Sequence, residues 1–212
     1  MKILKPQRLD LDKLVKVDNL ASEVKGNDFV TNKKIENFTK ENMELYHIKF
    51  EKVVLENVEI TSSKLEKDTF TDVIFKNCNF SNTSFENSCF IRCEFNNCKM
   101  TGCNLVETRL YNVTFVDSSA TYMNLATASI ENVLFQNTSL KNSYFQENKL
   151  KNVYFEKTDL TQAQFFKTSL KNIELSNCEI EGIAIAIEDI KGATINPLQA
   201  TDLLYLLGVK IK

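Results

Sequence analysis

Positions divisible by five carry a large apolar side chain from Leu45 to Ile195, and this rule limits the fold of the 212-residue chain more than any other feature. Of these 31 positions, 30 are Leu, Ile, Phe or Met and one is Ala120; they hold 12 of the 15 Phe. A helix repeats near 3.6 residues and a half-buried strand at 2, so neither places a period of five on one face. The count never slips, which leaves no insertion loop. A fixed repeat of this length specifies a solenoid, in which each unit buries its large residue only by stacking on its neighbours.

The position two before each large residue is restricted as well. It reads Val53, Val58, Ser63, Val73, Cys78, Thr83, Ser88, Cys93, Cys98 and Cys103, all small or β-branched. The remaining positions are mostly polar. Units such as Cys78-Asn79-Phe80-Ser81-Asn82, Thr83-Ser84-Phe85-Glu86-Asn87 and Thr158-Asp159-Leu160-Thr161-Gln162 resemble the pentapeptide-repeat family, over about 150 residues. The resemblance implies an all-β fold, a right-handed quadrilateral β-helix in which four pentapeptides complete a twenty-residue coil. Coils spaced ~4.8 Å apart make 151/20, about 7.5 coils, and a rod of roughly 36 Å. Residues twenty apart then share a column. Phe75, Phe95, Phe115, Phe135 and Phe155 form one core stack, and recurrent Asn at 57, 77, 97, 112, 132, 137, 152, 172 and 177 reads as corner ladders bonding the backbone. Such corners would explain a chain with five Gly and two Pro.

Three segments follow: 1–40, an N-terminal extension on the first coils, with Val54 and Ile74 as its docking patch; 41–195, the β-helix; and 196–212, a C-terminal helix and tail. In the tail, Asn196 reads as an N-cap, Pro197 as the first helical residue and Gly208 as the stop. Leu198, Leu203, Leu204, Leu206 and Leu207, with Val209 and Ile211, are more apolar than one capping helix can hide. Gln199, Ala200, Leu203, Leu207, Gly208, Val209 and Ile211 resemble the C-terminus of the Qnr-type quinolone-resistance family. That resemblance implies a dimer interface joining two rods end to end. The unbroken frame matches loopless Gram-positive relatives or the mycobacterial MfpA type.

The same resemblance implies a partner: DNA gyrase or topoisomerase IV, bound by a DNA-shaped acidic rod and protected from quinolones or related poisons. The topoisomerase-facing candidates are Glu56, Glu66, Glu86, Glu94, Glu107, Asp117, Glu147, Glu156, Asp159, Glu174 and Glu179. Residues 41–196 hold 15 basic and 21 acidic residues, a net of −6. That is about one net charge per 6 Å, several-fold weaker than the one per ~1.7 Å of duplex DNA. The side centred on 50, 70 and 90 is basic; the other three are acidic. A structural or adaptor repeat protein with another protein partner is the competing reading.

Other functions lack residues to carry them. The single His47 falls on the outside, two after a large residue, and the five Gly are scattered, with no phosphate loop. The six Cys read as small buried hydrophobes and not as a disulfide or metal set; Cys78 and Cys98 share a column. No enzyme activity, cofactor or metal is expected. With a net charge of −2 the chain shows no nucleic-acid footprint, and no apolar run is long enough for a membrane span. A charged N-terminus without a signal-peptide stretch places the protein in the cytoplasm.

Overall fold

A backbone corner sets the architecture. The computed structural model describes residues 3–6, 9–26 and 28–208. At every fifth position from Asn32 to Asn172, two places after each frame residue, φ is positive. The 28 non-glycine members lie between 48° and 64°, and Gly102 fills the remaining place at 68°. This left-handed region is unfavourable for most L-residues and least so for Asn. Half of the 28 are Asn, which is how the chain turns so often with so little Gly. Apart from Asn112, whose Oδ1 accepts Leu4 N, the amides are not held by the backbone as the sequence suggested. They bond one another up the column: Asn57 Nδ2 donates to Asn37 Oδ1 at 3.2 Å, Asn77 to Asn57 at 3.2 Å and Asn97 to Asn77 at 2.8 Å.

The corners stack because neighbouring coils pair in parallel with a register of twenty. The strands are β1 (Val15–Val17), β2 (Phe29–Thr31), β3 (Lys33–Glu36), β4 (Thr39–Glu41), β5 (Glu44–Tyr46), β6 (Lys49–Glu56), β7 (Glu59–Thr61), β8 (Lys64–Glu66), β9 (Thr69–Lys76), β10 (Cys89–Asn96), β11 (Arg109–Val116), β12 (Ser129–Gln136) and β13 (Lys149–Glu156). The largest sheet runs β1-β3-β6-β9-β10-β11-β12-β13, with β2 also on β6. The other sides are held by β4 on β7, β5 on β8 and a succession of single bridges such as Asn79 to Lys99 and Ser84 to Asn104. The result is a right-handed β-solenoid of about 7 turns.

The interior follows from this register. Phe75, Phe95, Phe115, Phe135 and Phe155 stack with ring centroids 4.4, 4.7, 4.9 and 5.3 Å apart and planes within 9° of parallel. A second file runs Phe50, Phe70 and Phe90. Offset or stacked aromatic pairs add about 0.5–1.5 kcal/mol each beyond burial. The small inward position has a second role that residue size alone did not reveal. At many levels its Cys, Ser or Thr donates to the carbonyl of the large residue 23 before it, as Cys78 Sγ to Leu55 O, Thr83 Oγ1 to Ile60 O, Ser88 Oγ to Leu65 O and Thr158 Oγ1 to Phe135 O, whereas Ser63, Thr108 and Ser118 donate within their own coil. Buried carbonyls must be satisfied, so the column needs donors as well as small volume.

The boundary at 41 moves upstream. Coil geometry begins at β2, with Val30 and Ile35 buried and left-handed corners at Asn32 and Asn37. Lys40 hid this start, because at that unit Phe38 points inward and Lys40 outward. The preceding segment lies along the rod: β1 pairs with β3, Leu11 borders a hollow with Val54 and Ile74, and Leu4 N donates to Asn112 Oδ1 at 3.1 Å. At the far end are α2 (Ile187–Ile190) and α3 (Gln199–Leu203), the latter followed by a 3-10 turn over Leu204–Leu207.

Asp68 places a carboxylate in the small column. It is buried at 1% exposure, and Oδ1 accepts Ile48 N–H at 2.7 Å while Oδ2 has no partner among the described residues. Burial pushes its carboxyl up to about 7, the Ile48 N–H opposing and the Glu66 charge adding. The folded state therefore binds a proton that the unfolded chain, with a carboxyl of about 3.9, releases. The stabilisation is complete below about pH 4 and is lost as pH rises through 7. Thermal midpoints at pH 5 and 8 test this. Asp68→Asn should raise the midpoint at pH 8 and flatten the difference between the two.

Candidate interaction surface

The interior is filled, so chemistry and recognition fall to the exterior and the ends. Left-handed corners turn four longitudinal edges outward, and residues twenty apart line each edge. Glu66 and Glu86 lie one coil apart, joined below their side chains by Lys67 N to Glu86 O at 3.0 Å. Glu107 and Glu147 continue that edge, one residue further along. The other candidates lie elsewhere: Glu56, Glu156 and Asp117 along a second edge, Asp159 and Glu179 on one side, Glu94 and Glu174 on another. The eleven carboxylates therefore do not converge on one patch.

Ion pairs divide them further. Lys34 and Lys76 bind Glu56 at 2.8 and 2.6 Å, and their hydrogen bonds hold its carboxyl down to about 2. Lys167 pairs with Glu147 at 2.7 Å and Lys141 with Asp159 at 3.0 Å. Among the described residues, Glu66, Glu86, Glu94, Glu107, Asp117, Glu156, Glu174 and Glu179 form no ion pair within 4.0 Å. Glu86 instead accepts from Asn104 Nδ2 at 3.2 Å and Glu156 from Gln136 Nε2 at 3.0 Å, which fixes the carboxylates without cancelling their charge. On the basic side, Arg92 grips Asp72 with two bonds of 2.6 and 2.8 Å. Both residues occupy left-handed corners, a pairing that the twenty-residue spacing would have exposed.

The C-terminal end is closed by side chains. Asn196 Oδ1 accepts from Leu198 N and Gln199 N, and Gln199 Oε1 accepts from Asn196 N, a reciprocal cap at the start of the helix. Gln199 Nε2 then donates to Leu175 O at 2.8 Å and Cys178 O at 2.7 Å, while Asn196 Nδ2 reaches Ser176 O at 2.7 Å. Tyr205 Oη donates to Ile183 O. Gly208 ends the segment at φ 68°. Leu203 and Leu206 pack partly buried on the core and Leu204 is half-buried, but Leu198 is 83% exposed and Leu207 67%. Val209 and Ile211 lie outside the described residues. Gln199→Ala leaves the buried Cys178 carbonyl open and Leu175 O with Cys178 N alone. With such an open group costing about 1–3 kcal/mol, denaturant unfolding should show a lower midpoint and the last coil should lose amide-exchange protection first.

His47 occupies an exposed corner, and all six Cys are free thiols. Burial pushes Cys93 and Cys103 up to about 12, away from the reactive thiolate. Among the described residues no three His, Cys, Asp or Glu gather as a metal site, and no helix is long and apolar enough to cross a membrane.

A family model described as a pentapeptide repeat region matches residues 68–148 and 88–165. No curated protein matches the sequence. Among solved structures, full-length QnrB1, a plasmid-mediated fluoroquinolone resistance protein, is 14% identical with a TM-score of 0.54, over 92% of this chain and 95% of that one. A trypsin-treated variant of it is 19% identical with a TM-score of 0.49, over 93% and 95%. HetL, a pentapeptide repeat protein of heterocyst differentiation regulation in the cyanobacterium Nostoc, is 12% identical with a TM-score of 0.34, over 84% and 97%. At these identities the likeness to QnrB1 is one of fold.

Proposed function

Because a pentapeptide repeat region matches residues 68–165 and the coils keep one register of twenty, we propose that the chain is a non-catalytic binder that occupies the DNA site of a type II topoisomerase, gyrase or topoisomerase IV, and protects it from quinolones or related poisons. The observation that carries this reading is the edge of Glu66, Glu86 and Glu107, three carboxylates on successive coils without ion-pair partners. Coils ~4.8 Å apart space these charges on the scale of phosphates along duplex DNA, on a rigid support. The fold shared with QnrB1, itself a fluoroquinolone resistance protein, agrees with this function. Since Glu56, Glu147 and Asp159 are neutralised by lysines, shape and the remaining edge supply the recognition, not total charge. Such a partner places the protein in the cytoplasm, and no direct nucleic-acid contact is needed.

Supercoiling by purified gyrase with and without ciprofloxacin tests the proposal. The protein should restore supercoiling in the drug's presence. Neither rescue at moderate protein nor inhibition at excess would leave the adaptor reading, a rod serving another protein partner. Glu86→Lys with Glu107→Lys should abolish rescue and make the salt dependence shallower; unchanged rescue would assign recognition to shape alone.

The exposed Leu198 and Leu207 support end-to-end dimerisation through the C-terminal segment, because apolar side chains standing clear of the cap gain by covering each other. Light scattering of Leu198→Asp with Leu207→Asp should give a monomer with its thermal midpoint little changed. Leu203 is unsuitable for this test, since it also packs on the last coil.

A further inference from the structure

Coil-to-coil pairing is interrupted at one level of the rod. Along residues 149–157, no backbone hydrogen bond among the described residues reaches the coil above at 169–177. The same two coils stay joined on their other sides, through Leu160 N to Glu179 O and Phe165 N to Ala184 O, at 2.7 and 2.8 Å. The upper coil is also bonded to the one beyond it, through Leu170 N to Asp189 O and Leu175 N to Thr194 O, both 2.8 Å. The rod therefore gapes on two adjoining sides only. Hollows of about 270 and 260 Å³ lie along β13 there. Leu150 is half-buried, whereas the other frame residues from Leu45 to Ile185 are buried.

The cause is local. β13 passes its left-handed corner at Asn152 without a turn hydrogen bond among the described residues, but the coil above closes tight turns, with Ile173 N on Leu170 O at 3.0 Å and Cys178 N on Leu175 O at 2.9 Å. The same change of corner occurs lower down, where Thr83 N closes on Phe80 O and Ser88 N on Phe85 O. There the ladder survives, because the Thr83 and Ser88 hydroxyls donate to Ile60 O and Leu65 O of the coil beneath at 2.8 and 3.0 Å. At the upper change the corresponding residues are Ile173, which has no donor, and Cys178, whose thiol reaches Phe155 O at 3.4 Å.

An open strand edge inside a rod is a template for another strand: its main-chain groups supply affinity and the flanking side chains supply specificity. The flanks here are polarised. Lys149 begins β13 and Lys171 lines the hollow beside its first half, together with Lys151, which is paired with Glu131; Glu156 and Glu174 line the hollow beside its second half. We propose that this slot is a strand-acceptor site for an extended segment of a partner protein, lying parallel to β13, with acidic side chains in its first half and basic ones in its second. This interaction is separate from the acidic edge and does not depend on the topoisomerase reading.

The probe is a labelled eight-residue β-branched peptide with two Asp in its first half and two Lys in its second, set against its charge-swapped counterpart. Fluorescence anisotropy and amide exchange are read on the full chain. The first peptide should bind at least about tenfold more tightly and slow exchange at Leu150, Asn152 and Phe155. Ile173→Thr, which supplies the missing donor to Leu150 O, should close the slot and remove binding. Lys149→Glu with Lys171→Glu should erase or invert the preference between peptides, and keeps the test open if Ile173→Thr misfolds. Absent binding, equal affinity for both peptides, or protection elsewhere on the rod would overturn the proposal. So would concentration-dependent protection of β13 in the protein alone, which would make the occupant a second copy of this chain.

Discussion

The rod rests on a left-handed backbone corner repeated at every fifth residue from Asn32 to Asn172. Each such corner is unfavourable for a single L-residue by roughly 1–2 kcal/mol, and a chain that adopts so many must be compensated elsewhere. Compensation comes from stacking. A corner in one coil sets the next coil's amides opposite its own carbonyls, aligns the phenyl files, and brings Asn amides within bonding distance of one another. Remove the stacking and no isolated coil would hold its corners, which is why the cooperative unit is the neighbouring pair of coils and not the pentapeptide.

That dependence also explains where the molecule spends its polar side chains. Inside, Ser, Thr and Cys hydroxyls and thiols close carbonyls that the parallel ladder leaves over. At the C-terminal end, Gln199 and Asn196 perform the same task for a coil that has no successor. Outside, lysines cancel some carboxylates and leave others, so that the surface field is uneven by edge. Recognition by such an object is a matter of which edge is presented at which height, on a support that does not rearrange.

Much of this was legible in the sequence, because the frame residues report side-chain direction directly. The phenylalanine column, the twenty-residue coil and the capping role of Asn196 follow from residue types and spacing. What escaped has definite causes. The rod's first coil was masked at Lys40, where Phe38 takes over the inward role; Asn32, Asn37 and Asn42, already at corner spacing, carried the missing signal. The Asn amides were assigned to the backbone because one residue's turn chemistry is local, whereas the ladder depends on a neighbour twenty away. The acidic candidates were legible as outward residues, but not their neutralisation, since Glu56 meets Lys34, which lies in the segment set aside as an extension. The interruption above β13 was invisible because Leu170 and Leu175 keep the frame: an apolar period records what points inward and says nothing about which main-chain groups pair.

The stacked register fixes how this molecule's length can vary. Adding or losing a single residue exchanges inside and outside for everything beyond it, and a change of five rotates the remainder by a quarter turn and scrambles its sides. Only whole coils can be inserted or deleted while the columns stay in line, so size is quantised in increments of ~4.8 Å. Any partner that measures this object thus meets a ruler with indivisible graduations.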